Sequence, residues 1–252
     1  MIRLIVCDLD ETLLDSEKNV SENNRAAIRE FEARGGLFVP CTGRIYTSLE
    51  RTLSQLDALG KAGHYVISTN GALISENCGR VCCSKGVPAD KVQALIAHAR
   101  ANGMGVEVFA EDGIVDDPLP LPEDVSFLRD VGVAKLLYER WDMPYLKKFA
   151  QQMDPALKEG LEISFSSDRY IEINAAGVNK GEGLRMLAEM LSIDMAQTMA
   201  IGDNFNDLEM IRAAGIGVAV ANAPEEIRAA ADIVLQADHE HDAVAEAIRQ
   251  YA

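Results

Sequence analysis

Ile2-Arg-Leu-Ile-Val-Cys7-Asp8-Leu-Asp10-Glu-Thr12 is the stretch on which the fold reading turns. Residues 2–7 form a short run enriched in Ile, Val and Leu, the pattern of a strand buried on both faces. The run ends in two acids. Residues i and i+2 of a strand share a side. Asp8 and Asp10 can therefore both face the crevice outside the strand's carboxyl end, where open α/β sheets bind ligands. Two acids at the end of an apolar strand are costly unless something neutralises them. A hard divalent cation does so, and Mg2+ takes one or two carboxylates together with waters and phosphate oxygens. The alternative is that both are cap or turn acids.

Outward from this stretch, strands and helices alternate. Ser21 can cap a helix whose apolar positions include Ala27, Ile28 and Phe31, and Gly35-Gly36 ends it. A second buried strand, 37–41, leads into Thr42-Gly43-Arg44. A helix over 45–59 and a third strand at 65–67 follow, the latter ending in Ser68-Thr-Asn-Gly71. This predicts βαβ units and a parallel sheet. From about residue 73 the pattern changes. A hairpin is expected around Asn77-Cys-Gly79, then a helix over 88–101, strand-like runs at 105–109 and 131–138, and a helix over 144–153. A second hairpin joins 161–166 to 170–174 across Ser167-Asp-Arg169, and the Pro-rich 117–122 reads as a loop. After Gly177 the alternation resumes, with helices at 180–191, up to 213, from 224 and at 242–251, and strands at 198–201, 216–220 and 232–235. The expected fold is α/β. A Rossmann-like parallel-sheet core, residues 1–82 and 179–252, is interrupted by an inserted α+β module at 83–178.

Composition narrows the function. The 252 residues carry 24 Lys+Arg against 40 Asp+Glu, a formal net charge of −16. Such a surface repels nucleic-acid phosphates and anionic headgroups at long range, and no basic cluster offsets it. Neither a nucleic-acid nor a membrane partner is expected. No apolar run approaches the roughly 20 residues that span a bilayer. The first apolar run is too short for a signal peptide, so a cytoplasmic protein is expected. The five cysteines (Cys7, Cys41, Cys78, Cys82, Cys83) lack C-x-x-C spacing and read as reduced, mostly buried thiols.

Further residues carry chemistry. Asp203 and Asp207 form a second acidic pair after the apolar run 198–201. Gly202, Asn204 and Asn206 favour an unusual turn there, which sets Asp203 to complete a metal site. Asp207, four residues on, also suits a helix N-terminus. Thr42-Gly43 joins a hydroxyl to a glycine N–H, a small donor pair for phosphoryl oxygens. Lys180 follows Asn179 at a helix start, where anions already bind and a point charge suits phosphate.

These pieces occur in order: D-x-D-x-T, a strand-end Thr, a Lys, then G-D-x-x-x-D. Asp8-Leu-Asp-Glu-Thr12, Cys41-Thr42-Gly-Arg44, Asn179-Lys180-Gly181 and Gly202-Asp203-Asn-Phe-Asn206-Asp207 resemble the four motifs of the haloacid dehalogenase-like superfamily of phosphatases. The insert between the Thr and Lys motifs looks like the C2-type cap. Thr69-Asn70-Gly71-Ala72 is similar to the loop preceding it in Cof-type sugar phosphatases of subfamily IIB. Glu11 stands where the family most often has Gly.

The resemblance implies a Mg2+-dependent phosphatase acting on small phosphorylated metabolites, sugar phosphates foremost. Asp8 would attack phosphorus and form an aspartyl-phosphate. Asp10 would protonate the leaving alcohol and then activate water. Mg2+ would be held by the Asp8 carboxylate, the Asp10 carbonyl and Asp203. Thr42, Gly43, Lys180 and Asn206 would hold the phosphoryl oxygens. Asp207 would orient Lys180 or a metal-bound water, with Arg44 in a supporting role. A phosphomutase of the same superfamily and a receiver-like signalling domain are the competing readings. Release of inorganic phosphate without an activating bisphosphate separates the first, and Mg2+-dependent turnover of p-nitrophenyl phosphate the second.

Other signals carry less. Gly181-Glu-Gly183 lacks the third glycine of a dinucleotide fingerprint. Cys41 and Arg44 are too close for a cysteine-phosphatase loop. His239-Glu-His241 reads as solvated, as do the acidic pairs 111–112 and 116–117.

Overall fold

Leu4–Cys7 forms β1, and all four side chains are buried. Their alternation supplies two layers at once. Ile5 and Cys7 pack with Ile28, Phe31 and Val244, whereas Leu4 and Val6 pack with Leu184 and Leu187 on the other side. The architecture comes from a computed structural model, which describes residues 1–111, 113–114, 123–166 and 169–252. After β1 the chain runs through α1 (Glu22–Ala33), β2 (Leu37–Pro40), α2 (Glu50–Gln55), β3 (Tyr65–Ser68), β4 (Leu73–Glu76) and β5 (Val81–Ser84). Next come α3 (Ala89–Ala101), β6 (Gly105–Ala110), β7 (Gly113–Ile114), α4 (Leu128–Val131), β8 (Val133–Glu139), α5 (Met143–Gln152), α6 (Pro155–Lys158), β9 (Leu161–Ser166) and β10 (Tyr170–Ala175). It closes with α7 (Lys180–Met190), β11 (Thr198–Gly202), α8 (Leu208–Ala213), β12 (Ile216–Ala219), α9 (Glu225–Ala230), β13 (Ile233–Val234) and α10 (Ala243–Tyr251). The Pro-rich 117–122, the acidic residues at 112 and 116–117, and 167–168 of the second hairpin lie outside the described residues.

The chain divides into two compact units, Met1–Cys83 with Asn179–Ala252, and Ser84–Val178. The first is built on a parallel five-stranded sheet in the order β13-β12-β11-β1-β2. The second holds an antiparallel sheet in the order β7-β6-β8-β10-β9. One face of that sheet, with Val108, Leu136, Tyr138, Ile171 and Ile173, packs on Leu95, Ile96 and Ala99 of α3 and Leu146 and Ala150 of α5. The α/β class with an antiparallel insert is therefore as the sequence predicts.

Two local expectations change. The run at 65–67 does not continue the parallel sheet. It forms β3 of a separate sheet ordered β3-β4-β5, paired antiparallel to β4, and meets β2's end only through a parallel Cys41–Ile67 bridge. Pro40 accounts for this. Leu37 and Cys41 N–H groups donate toward β1, and Thr42 N–H donates the other way, to Ile67 O at 2.9 Å. Pro40 lies on the edge facing Ile67 and has no N–H to offer there. The helix expected over 45–59 is also shorter. A 3-10 turn, Tyr46–Leu49, precedes α2, and Asp57 at φ 53° stops it.

Tyr138, fully buried in the second unit, donates its hydroxyl to Leu95 O at 2.7 Å. Tyr138→Phe should cost that unit about 1 kcal/mol. A urea melt followed by a probe in residues 84–178 would read it, and an unchanged midpoint would contradict this account of the packing.

Candidate active site

β1 and β11 are parallel neighbours, so two acidic strand ends emerge side by side. Asp8 N–H donates to Ile201 O at 2.9 Å, extending the ladder one residue past β1. Gly202 is needed beside it, because a Cβ there would lie 2.6 Å from the Asp207 Cβ. The Asn204 side chain caps the short turn Phe205–Asp207. Asp207 Oδ2 then accepts the N–H groups of Asp203 and Asn204, each at 3.0 Å. Its Oδ1 accepts the Lys180 ammonium at 2.6 Å, and Lys180 also donates to Asp8 Oδ1. Lys180 can reach both because it opens α7, which Asn179 caps by accepting Glu182 N–H at 2.8 Å. Thr12 Oγ1 donates to Asp203 Oδ1 at 2.8 Å.

Asp8, Asp203 and Asp207 are all buried, and each offers an oxygen within 4.8 Å of the others. Burial and the neighbouring Asp207 raise the Asp8 carboxyl well above its ordinary range, against the pull of Lys180. Burial likewise pushes Asp203 up to about 7, although the Thr12 hydrogen bond opposes it. Burial alone would lower Lys180, but Asp207 and Asp8 outweigh it, and the ammonium stays charged. Three carboxylates against one ammonium leave a formal −2 in a buried site. The donors are all oxygen. That set fits a hard divalent cation such as Mg2+, with Asp8, Asp203 and Asp207 as the carboxylates within reach.

The Asp10 carboxylate lies outside that trio. Arg44 grips it through both oxygens, with Nε to Oδ2 at 2.8 Å, and Lys18 Nζ sits 2.8 Å from Oδ1. Burial would raise Asp10, but these two cations prevail and hold it below the usual carboxylate range. Thr42 follows β2, fully buried, and its Oγ1 accepts the Arg44 N–H at 3.1 Å. Asn206 is exposed on the Phe205–Asp207 turn. Thus Asp8, Asp203, Asp207 and Lys180 come together, Asp10 and Arg44 form a neighbouring ion pair, and Asn206 stands apart. The Thr12 contact, with its partner 191 residues away, is hinted at only by the D-x-D-x-T spacing. Lys18 carries no sequence signal. It reaches Asp10 because the tight turn Asp15–Asn19, closed by Lys18 N–H on Asp15 O at 2.9 Å, folds back.

Of the five cysteines only Cys7 and Cys41 are buried, while Cys78 is exposed and Cys82 and Cys83 are half-buried, so the thiols are not mostly buried as the sequence suggests. The Cys41 thiol is fully buried and its pKa is pushed far up, which makes it a poor nucleophile. His241 pairs with Asp238 at 2.6 Å at the exposed surface.

Comparison with known proteins agrees with the motif reading. A family of haloacid dehalogenase-like hydrolases matches residues 5–248. A 5-amino-6-(5-phospho-D-ribitylamino)uracil phosphatase of Bacillus subtilis is 30% identical, over 99% of this chain and 96% of its own. A phosphoglycolate phosphatase of Methanothermobacter thermautotrophicus is 30% identical, over 99% of each chain. Among solved structures, a haloacid dehalogenase-like hydrolase from Bacteroides thetaiotaomicron superposes with a TM-score of 0.86 at 28% identity, covering 100% of both chains. A subclass IIB sugar phosphatase shares the fold at a TM-score of 0.79 and 22% identity, over 99% of this chain and 98% of its own. The chain belongs to the haloacid dehalogenase-like hydrolases, in their Cof-type branch, and it is a phosphatase of that superfamily. No helix among the described residues is long and apolar enough to cross a membrane.

The raised carboxyls have a consequence for stability. Asp203 titrates near 7 in the fold but at its ordinary value of 3.8 when unfolded. Its contribution is therefore greatest below the unfolded value and is lost as pH rises through about 7. With EDTA present, the melting temperature should fall between about pH 5 and about pH 8. Added Mg2+ should restore it, more at the higher pH. Equal Mg2+ effects at both pH values would contradict the assignment.

Proposed function

We propose that the protein hydrolyses small phosphorylated metabolites, sugar phosphates foremost, through an aspartyl-phosphate on Asp8. The observation that carries this reading is the Lys180 ammonium, with no solvent exposure, bridging Asp8 and Asp207 beside Asp203. A buried nucleophile, a fixed positive charge and an oxygen-rich pocket are what phosphoryl transfer asks of a protein.

In the first half-reaction an Asp8 oxygen bonds to phosphorus as the ester P–O bond breaks. Asp10, having taken up a proton from solvent, gives that proton to the departing alkoxide. In the second, Asp10 takes a proton from water, the water oxygen bonds to phosphorus, and the Asp8–phosphorus bond breaks to release phosphate. The grip of Arg44 and Lys18 makes the carboxylate the resting form of Asp10 and its protonated form a stronger acid. Thr42, Gly43 and Lys180 hold the phosphoryl oxygens, with Asn206 assisting. Asp207 keeps Lys180 in place. Mg2+, held by Asp8, Asp203 and the Asp10 carbonyl with Asp207 close by, would offset the repulsion between Asp8 and the phosphate. Residues 83–178 act as a C2-type cap that selects the leaving group.

The relatives support the substrate class. One is named for a ribitylaminouracil phosphate and another for phosphoglycolate, both small phosphomonoesters. A phosphate-release screen over such metabolites, with Mg2+ or EDTA, tests the reading. Asp8→Asn should lower turnover by about 1,000-fold or more while leaving the melting temperature equal or higher, since it removes a buried charge held at a raised pKa. An Asp8→Asn enzyme with full activity would refute the mechanism.

A further inference from the structure

The loop after β3 carries two costs that folding alone does not explain. Thr69, Asn70 and Gly71 all have positive φ, at 51°, 58° and 98°. Left-handed backbone suits glycine, is tolerated by asparagine and is unfavourable for a β-branched residue such as Thr. Thr69 is also fully buried, and neither its hydroxyl nor that of buried Ser68 has a hydrogen-bond partner. Glycine at position 69 would remove both costs. Strain and an orphaned polar group together at one place point to a functional constraint.

The contacts show what the strain holds. Thr69 N–H donates to Arg44 O at 2.9 Å and Asn70 N–H to Thr42 O at 3.0 Å. The loop thus grips both ends of the Thr42-Gly43-Arg44 turn. The Asn70 side chain lies over the middle of it: a Cβ on Gly43 would fall 2.9 Å from Asn70 Oδ1. The far end of the loop seats the other phosphate element. Gly71 abuts the start of α7 so closely that a Cβ there would lie 2.2 Å from Asn179 O, one residue before Lys180. The chain makes all of these contacts with left-handed backbone at 69–71.

We propose that Thr69-Asn70-Gly71 is a positioning element that sets the spacing between the Thr42–Gly43 turn and Lys180, with Asn70 acting through Gly43. It rests on the phosphatase reading above, in which those two elements hold the phosphoryl group. The loop acts on the residues it meets, Thr42, Gly43, Arg44 and Asn179. Its effect is registration of donors, where misplacement by an ångström can cost up to about a hundredfold.

A double-mutant cycle tests this. Asn70→Gly keeps the backbone conformation available and removes the side chain over Gly43. Inhibition by inorganic phosphate, kcat and KM for p-nitrophenyl phosphate, and melting temperature are measured for Asn70→Gly, Gly43→Ala and the pair. We expect Asn70→Gly to raise the phosphate inhibition constant by about tenfold with little change in melting temperature. Gly43→Ala should do more harm in the wild type than in the Asn70→Gly background, where the added methyl has room. A wild-type inhibition constant in Asn70→Gly, or strictly additive losses, overturns the proposal. If Asn70→Gly fails to fold, Thr69→Gly decides. It relieves strain and the orphaned hydroxyl, so it should melt no lower than wild type yet bind phosphate about threefold more weakly or worse; unchanged binding overturns the proposal. Asp8→Asn, assayed alongside, reports on the phosphatase reading separately.

Discussion

An ammonium group without solvent exposure joins three distant parts of the chain. Lys180 reaches Asp8 at the end of β1 and Asp207 beyond β11 from its own place at the start of α7. Stripping water from three ionised side chains is expensive, and their mutual attraction offsets this only when the geometry is good. Removing the ammonium from such a buried cluster costs about 3–5 kcal/mol, because the carboxylates are left uncompensated. The core can hold this arrangement only by having every surrounding element in place. Asp207 is fixed by two backbone N–H groups, and α7 is fixed by its cap. The cluster is therefore both the reason for the local structure and the most exacting demand on it.

Backbone constraints decide where the remaining pieces go. Pro40 removes one donor from the outer edge of β2, and β3 turns away to pair with β4. That leaves the chain after β3 free of a parallel ladder, and it folds across the Thr42-Gly43-Arg44 turn instead. Gly202 lets Asp207 close over the end of β11. In each case a missing N–H or a missing Cβ, rather than an added contact, opens the space that a polar side chain then occupies.

This explains how much was legible in the sequence. The parallel sheet showed itself because apolar strands and amphipathic helices alternate, and the pairs Asp8/Asp10 and Asp203/Asp207 each follow closely on an apolar strand. Such features are local, with a fixed spacing in the chain. The run at 65–67 looks the same in either sheet, and what turns it out of the parallel one is a single proline on a neighbouring strand. Lys18 was invisible because its tie to Asp10 depends on how a five-residue turn folds back. The left-handed pair at 69–70 was hidden for a related reason: Thr and Asn do not announce positive φ as glycine does.

Net charge, a guide to partners at long range, says little about the site itself. The 83–178 segment holds 10 basic and 16 acidic side chains and the remainder 14 and 24, so the acidity is spread over both. At physiological ionic strength charges are screened over about 8 Å, and what a small anion meets at the site is the local set. With every carboxyl ionised, Asp8, Asp203, Asp207 and Lys180 sum to −2, while Asp10 with Arg44 and Lys18 sums to +1. That set alone repels a phosphate dianion. One divalent cation reverses its sign. On the proposed reading, metal and substrate therefore enter one electrostatic balance. The protein's acidity is then compatible with an anionic substrate, because the carboxylates that would hold the cation are the same ones that would otherwise expel the phosphate.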